Sequence, residues 1–580
     1  MNRFADFAKD LATFQQKDQL GPDPFGRRYG ERRKAYSLFT TLLTDAEIES
    51  IRGYLFPYAK LPMKVTDAPV KVHNFIAGEW SAPATGEYAT MTCPADSRVK
   101  LCEVPVSTDP DVERALAYGY EHFASMAWAE DSLTYRKHVV QNFSKMLEYF
   151  YEEVMAEIRA TIPKTRLEAD KDFWEAKRAA DHMAGTAEKA MLGELLPTMV
   201  PGHTYWKNGY IPAGLCVLLT PMNFIYGIST IQIVGCYLSG SPFIFKGHPF
   251  GGISNTVMTR MMLASGADPR QVQKLEGFGR GIARIAIDDR VAVASLTGSS
   301  ETAEKILEGR KLGTLRFEGG GCNWAFVDDG YSDAELDQIA VRLTYAKLGF
   351  SSHKCTTLHG IAASRATIDK LASRIDVEMG KWKIADPREL PATETKIVGP
   401  AMVHKAITQT RIVDAAEKAG AKIIRRGGKI TDGEYAQHAE VVAPSIIEVT
   451  PALEIKVDWD DKGERSFHLA TTELFAPTLC VWALGPASEP TGFERFLRFC
   501  LTENEHDLTV SIFSRDDRKL ARGRLVLAGM LKENDGTDSA LEWEEFGASG
   551  VGPSGNTGVG DGTTTIAMFC RRQKGRHIVF

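Results

Sequence analysis

Between residues 214 and 317, short runs that are apolar at nearly every position alternate with helix-length segments. The runs are Leu215-Cys216-Val217-Leu218-Leu219, Pro242-Phe243-Ile244-Phe245 and Val291-Ala292-Val293-Ala294-Ser295-Leu296. Between them lie a helix-length apolar segment from Gly227, a helix predicted over 254–264, and a strand and turn around Leu275-Glu276-Gly277-Phe278-Gly279. A strand apolar on both faces must be covered on both faces, and the interleaved helices are the cover, so the pattern predicts a parallel α/β sheet. Residues from about 110 to 195 carry helical periodicity rich in Ala, Glu, Lys and Met and read as scaffold. The run from Val72 to Trp80 predicts short strands and turns. Residues 1–71 read as an extension, whose Arg27, Arg28, Arg32, Arg33 and Lys34 form a solvated basic face or a clamp on a neighbouring subunit.

The apolar stretch over 215–245 raises a membrane span as an alternative. Pro221, Asn223, Ser229, Gln232, Ser239 and Pro242 interrupt it, and unpaired polar groups are costly in lipid, so a buried β-α-β unit and no membrane are expected.

At 580 residues the chain exceeds one ordinary core and is expected to be multidomain. With 25% charged and 44% hydrophobic residues and a net charge of -6, it reads as soluble, without a nucleic-acid surface. Its nine cysteines include no C-x-x-C pair, which argues against zinc and a disulfide framework and for a reducing compartment. Asp6, Lys9 and Asp10 fit neither a signal nor a transit peptide, so a cytoplasmic location is expected.

Cys355, in Phe350-Ser351-Ser352-His353-Lys354-Cys355-Thr356-Thr357, follows Glu318 of Phe317-Glu318-Gly319-Gly320-Gly321-Cys322-Asn323 by 37 residues. A thiol can attack a carbonyl and a carboxylate can activate water. Lys354 and a helix-to-strand transition would lower the thiol pKa. The alternative is an inert buried cysteine beside an acidic turn residue. Asn223, in Thr220-Pro221-Met222-Asn223-Phe224, stands just past a strand, where its amide suits an oxyanion or simply a turn. Lys246 ends a strand, at the edge where parallel sheets bind ligands. Thr297-Gly298-Ser299-Ser300-Glu301 opens a helix and suits a phosphate or ordinary capping. Gly277-Phe278-Gly279 is a weaker turn of the same kind.

Taken in order, these segments resemble the aldehyde dehydrogenase superfamily over roughly residues 72 to 580, joined by Pro212-Ala213-Gly214 and Glu473-Leu474-Phe475-Ala476-Pro477. The resemblance implies an α/β fold with a Rossmann-like parallel-sheet cofactor domain, an α/β catalytic domain and an oligomerisation strand flap. After the extension, 72–195 and 211–316 would form the cofactor domain, 196–210 the flap, 317–562 the catalytic domain and 563–580 the C-terminal oligomerisation strand. It further implies NAD or NADP as cofactor and a homo-oligomer, dimer or tetramer. In that reading Cys355 attacks the aldehyde, Asn223 and the Cys355 N–H hold the oxyanion, and hydride transfer leaves a thioester that water activated by Glu318 hydrolyses. Lys246 and Glu473 would hold the riboses, Thr297, Gly298 and Ser299 the pyrophosphate, and Phe475 the nicotinamide ribose. Thr220, Pro221, Gly279 and Gly320 complete the cofactor set, and no metal is implied.

Two departures from the family stand out. His353 replaces a frequent Gln, and Lys246-Gly247-His248-Pro249 replaces the lysine-proline-serine-glutamate motif. Loss of that acidic residue removes an acceptor for the adenosine ribose and a repulsion against a 2′-phosphate, which favours NADP or dual use. The aromatic residues Trp206, Phe224, Tyr226, Trp324, Phe350, Phe467 and Trp543 flank the motifs and suit an apolar or aromatic aldehyde such as phenylacetaldehyde. The alternatives are a semialdehyde, for which no basic anchor is identified, a CoA-acylating enzyme, whose kind usually lacks the glutamate, and a catalytically silent binding or structural protein on the same fold.

Overall fold

The computed structural model describes residues 42–580 apart from 192–193, 198–202, 311–312, 486–490, 505, 507, 528, 540–545, 548–552, 557, 561 and 579–580. The basic run at 27–34 and Trp543 lie outside the described residues.

Two seven-stranded sheets carry the fold. The first comprises β1 (Asn74–Ile76), β2 (Glu79–Ser81), β3 (Leu215–Leu219), β4 (Phe243–Lys246), β5 (Val272–Lys274), β6 (Val291–Thr297) and β7 (Thr314–Glu318), in the order β7-β6-β3-β4-β5-β1-β2. From β7 to β5 all neighbours are parallel, and β1 and β2 add an antiparallel edge. Helices α1 (Arg166–Met191) and α2 (Gly227–Ser239) pack closely on one another, and α2 is buried along its whole length, as its all-round apolar sequence requires.

The order matters for function. The chain builds outward from β3 to β4 and β5, then returns to add β6 and β7 on the other side of β3. The carboxyl ends of β3 and β6 therefore flank a topological switch point, where open α/β sheets bind ligands.

The second sheet comprises β8 (Asn323–Val327), β9 (Leu358–Ala363), β10 (Ile423–Arg425), β11 (Ser445–Glu448), β12 (Thr478–Ala483), β13 (Thr509–Phe513) and β14 (Met530–Glu533), in the order β10-β11-β12-β9-β8-β13-β14. It is parallel except for β10. Strands Glu194–Pro197, His203–Pro212 and Cys570–Ile578 form a separate antiparallel three-stranded sheet.

Several expected boundaries move. Residues 42–71 are not a separate extension, because Leu43, Ile48, Ile51, Tyr54, Leu55 and Val70 are buried in the same core as α1 and α2. The first sheet does not stop at 316, where the cofactor domain was expected to end. β7 pairs with β6 through Thr297↔Glu318, so the crossing to the second sheet falls in the glycine turn after Glu318. The strands where a flap over 196–210 was expected run from Glu194 and to Pro212. At the C-terminus a helix, Gly562–Met568, precedes a strand that begins at Cys570 rather than at 563.

None of the nine cysteines, all among the described residues, is in a disulfide, and of the nine only Cys355 and Cys570 are partly exposed. Among the described residues no helix is long and apolar enough to cross a membrane.

Candidate active site

Strand ends assemble the site. β3 delivers Thr220, Pro221 and Asn223, β4 ends on Lys246, β6 runs into Thr297, Gly298 and Ser299, and β7 ends on Glu318. Ser299 caps helix α3 (Ser300–Gly309), its hydroxyl accepting from the Thr302 N–H at 3.3 Å, so the first N–H groups of that helix face the strand ends. Cys355 arrives from the other sheet, three residues before β9. One cavity of about 1570 Å³ is lined by all thirteen residues singled out above: Asn223, Glu318 and Cys355 with Thr220, Pro221, Lys246, Gly279, Thr297, Gly298, Ser299, Gly320, Glu473 and Phe475. That exceeds the several-hundred-Å³ pocket of a single small ligand and leaves room for a dinucleotide together with a second molecule.

The turn before Cys355 is strained and held. Phe350, Ser351 and Ser352 have φ of 55°, 53° and 64°, a left-handed run that costs side-chain-bearing residues roughly 1–2 kcal/mol each. Glu168 of α1 accepts the Phe350 N–H, Ser351 Oγ accepts from the Gly399 N–H at 2.7 Å, and Ser352 Oγ donates to the Lys347 carbonyl at 2.6 Å. Asn223 Nδ2 donates to the His353 carbonyl at 2.9 Å, tying the β3 loop to the Cys355 loop. An amide nitrogen has two N–H groups, so the other remains for an oxyanion. On the far side Asn323 Nδ2 donates to the carbonyls of Cys355 (2.7 Å) and Thr357 (2.9 Å), while its Oδ1 accepts from the Thr509 N–H at 3.0 Å. Asn323 is thus a clamp that the sequence displayed within a motif without revealing its task.

Each glycine of the Glu318 turn is demanded by a neighbour. A Cβ on Gly319 would strike the Pro553 carbonyl, one on Gly320 the Glu473 carboxylate, and one on Gly321 the Asn323 side chain and the Cys355 carbonyl. Glu473 accepts the Gly321 N–H at 3.2 Å. Desolvation pushes its carboxyl up to about 7.

The thiol behaves opposite to expectation. Burial, reinforced by the charges of Glu318 and Glu473, pushes Cys355 up to about 12, and Lys354 opposes this only weakly. The favourable helix end and lysine are outweighed by desolvation, which disfavours a thiolate. His353 is buried and neutral, its pKa driven down to about 3. The Met402 N–H donates to its Nε2 at 3.3 Å, which puts the ring proton on Nδ1. Its ring packs 5.7 Å from that of Phe475.

The seven aromatic candidates separate. Phe224, Phe350 and Phe467 line the cavity, and the first two stack at 5.4 Å. Trp324 and Tyr226 are core instead: Trp324 Nε1 donates to the Ala470 carbonyl at 3.0 Å and the Tyr226 hydroxyl to Glu157 at 2.5 Å. Trp206 lies on a flap strand, and its side chain, like Trp543, is outside the description. Sequence reasoning missed Lys171, Glu175, Arg342, Tyr345, His404, Trp459 and Asp538 in the cavity wall. Lys171 and Glu175 share a face of α1 at i, i+4 spacing, but that this face meets the cavity is a tertiary fact.

The aldehyde dehydrogenase family model matches residues 80–574. The chain belongs to the aldehyde dehydrogenase family. As such it is an NAD(P)-dependent aldehyde dehydrogenase. The dehydrogenase is 24% identical over 493 residues to malonate-semialdehyde dehydrogenase 2 of Oceanobacillus iheyensis, covering 83% of this chain and 93% of the relative. It is 23% identical over 457 residues to the α-aminoadipic semialdehyde dehydrogenase of Bos taurus, covering 77% of each. Among solved structures, betaine aldehyde dehydrogenase from Staphylococcus aureus in complex with NAD+ superposes with a TM-score of 0.77 at 18% identity, covering 87% of this chain and 94% of that one. NADP-dependent glyceraldehyde-3-phosphate dehydrogenase from Bacillus halodurans, complexed with NADP, superposes at 0.75 and 20% identity, covering 88% and 100%. These likenesses bear on the fold.

Proposed function

We propose that the dehydrogenase oxidises its aldehyde to the free carboxylic acid by the hydrolytic route, with Cys355 as nucleophile, Asn223 and the Cys355 N–H as oxyanion donors and Glu318 as base. The observation that carries this is the opening of Cys355, Glu318 and Asn223 onto one cavity with the carboxyl ends of β3, β4, β6 and β7. Once the thiol proton has passed to solvent in the cavity, Cys355 Sγ adds to the carbonyl carbon, the carbonyl π pair moves onto the oxygen, and the Asn223 amide donates to that oxygen as charge develops there. A nicotinamide held by these residues would supply the hydride acceptor for oxidation of the thiohemiacetal to the thioester. Glu318, the charge that bears most on the Cys355 sulfur, then takes the proton of the water that releases the acid.

The cavity residues fit a dinucleotide. The N-terminus of α3 with Ser299 suits the pyrophosphate, Lys246 and Glu473 the riboses, and Gly320 keeps the space that the Glu473 carboxylate fills. From the loop after β4 only Lys246 and His248 reach the wall. Glu276, the carboxylate acting on Lys246, is wholly buried, tied to Lys274 and Asn255, and does not line the cavity. This supports use of NADP alongside NAD.

The Phe224–Phe350 wall suits an apolar or aromatic acyl chain, with phenylacetaldehyde as the test compound. The names of the two curated relatives support a semialdehyde instead.

Initial rates with NAD and with NADP test the assignment. Reduced cofactor is expected without CoA, and Cys355→Ala is expected to be inactive. Glu318→Gln should give one fast turnover and then an acyl adduct visible by intact-protein mass. A strict CoA requirement points to the acylating route, and steady turnover by Glu318→Gln removes Glu318 as the base.

A further inference from the structure

Charged side chains at the start of α1 lie buried behind both reactive loops. Lys164, Glu168 and Asp172 are almost wholly buried, and each touches a loop that carries a residue of the site. Asp172 Oδ1 accepts the Gly227 N–H, the first of α2, at 2.8 Å, and its Oδ2 pairs with Lys164 Nζ at 3.1 Å. Gly227 has little room for a side chain there, because a Cβ would meet Glu175 at 3.0 Å and Asp172 Oδ1 at 3.2 Å. Glu168 accepts the Phe350 N–H and, at 2.9 Å, the Thr165 N–H. Lys164 Nζ stands between the two loops, 4.2 Å from the Phe224 ring centroid and 5.4 Å from that of Phe350, and those rings stack on each other. Lys171 also nears Phe350, at 5.8 Å, but it lines the cavity and donates to the Tyr345 hydroxyl, so it does not join the loops.

The Asn223 amide has to point at an oxyanion that exists only once Cys355 Sγ has added, so its aim depends on what holds its loop. After β3 the chain turns through Met222–Tyr226 and is fixed again where α2 begins. That fixed point is the Gly227 N–H on Asp172, with the Tyr226 hydroxyl on Glu157 at 2.5 Å beside it. The Cys355 loop is held by Glu168, which stands at i, i+4 spacing from Asp172 and therefore on the same face of α1. One helix face thus holds both loops, and Lys164 links Asp172 to the ring of each. As a source of stability a buried ion pair is weak, because desolvation offsets its attraction, so the position of this pair between the loops is its more informative property.

We propose that Lys164 and Asp172 are positioning residues, whose buried pair holds the Asn223 amide in register with Cys355 so that the oxyanion forms within reach of its donor. This rests on the reading of Asn223 as oxyanion donor and adds what aims it. Misplacing such a group by about 1 Å, through a change outside the reacting centre, can cost on the order of 100-fold in rate.

The test needs neither cofactor nor aldehyde. p-Nitrophenyl acetate acylates a thiol through an oxyanion: the thiol proton passes to solvent, Sγ adds to the ester carbonyl carbon, and collapse of the adduct expels p-nitrophenolate and leaves the thioester. Iodoacetamide alkylates the same sulfur by displacement of iodide, with no oxyanion. Asp172→Asn is expected to slow the p-nitrophenolate burst about tenfold or more while alkylation, followed by peptide mass, keeps its rate. Asn223→Ala should slow the burst on the order of 100-fold, and Asp172→Asn added to it should cost little further. Should Asp172→Asn not fold, Lys164→Met together with Asp172→Asn, which leaves no lone buried charge, carries the same expectations. An unchanged burst, a parallel fall in acylation and alkylation, or losses that multiply fully with that of Asn223→Ala overturns the proposal alone. A wild-type enzyme that gives no burst, or an Asn223→Ala variant that keeps it, defeats the parent reading and this inference with it.

Discussion

A thiol held up at about 12 is almost entirely protonated at neutral pH, so the reactivity of Cys355 depends on a proton leaving the site. Alkylation of Cys355 by iodoacetamide in the cofactor-free enzyme, followed by peptide mass spectrometry, should therefore rise about tenfold per pH unit from 7 to 9 without a plateau. A plateau near pH 7 would show that Lys354 and the local backbone win over burial. Glu318→Gln removes the largest charge opposing the thiolate and should move the rising limb to lower pH. At this scale the sequence was informative about residue identity, because Cys355, Glu318 and Asn223 occur in recognisable order. It was misleading about the state of the thiol, since desolvation depends on the loops that close around Phe350, Ser351 and Ser352, and none of these is a neighbour-by-neighbour property. The lysines around Phe350 were equally hidden: Lys164 and Lys171 stand far before it in the chain, on and beside α1.

Strand ends and turns were easier to read than side-chain states, for a physical reason. β3, β4 and β6 are apolar at almost every position, and such runs have little choice but to be buried in a covered sheet. The strands of the second sheet were less legible as a set, because β10, β11 and β14 are short and separated by long excursions such as the hairpin Glu454–Asp458 with Glu464–His468. The glycine turn between β7 and β8 shows how element geometry and chemistry meet. Gly320 has no side chain because the Glu473 carboxylate occupies that place. Gly320→Ala must displace Glu473, and the expected result is an NADP dissociation constant raised about tenfold, measured by fluorescence titration, from the loss of one charged hydrogen bond. If displacement of Glu473 is the cause, adding Gly320→Ala to Glu473→Ala should cost little further. Full additivity of the two changes would mean that Gly320 acts through the backbone alone.

At the level of the whole molecule, the sequence suggested an extension whose described part, residues 42–71, the fold absorbs. Ile48, Ile51 and Leu55 are apolar at helical spacing and disappear into the core under α1 and α2, whereas the proline- and glycine-rich stretch before them offered no such pattern. The three-stranded sheet presents the opposite situation. His203–Pro212 lies at its centre, Cys570–Ile578 and Glu194–Pro197 lie on its flanks, and neither seven-stranded sheet continues it. Among the described residues such a sheet leaves an open backbone edge on each side, which proteins cover or pair. Pairing with a second copy is the cover we predict, so light scattering after size exclusion should give an even multiple of 63.9 kDa. Truncation after Phe569 removes the strand that bonds Pro212 through His203 and exposes the central strand. The truncated chain should run as a monomer or aggregate, with its cavity residues still in place because they come from the two large sheets. A full-length enzyme that runs at the mass of one chain would show that the flap is covered within the subunit, and the homo-oligomer would be withdrawn.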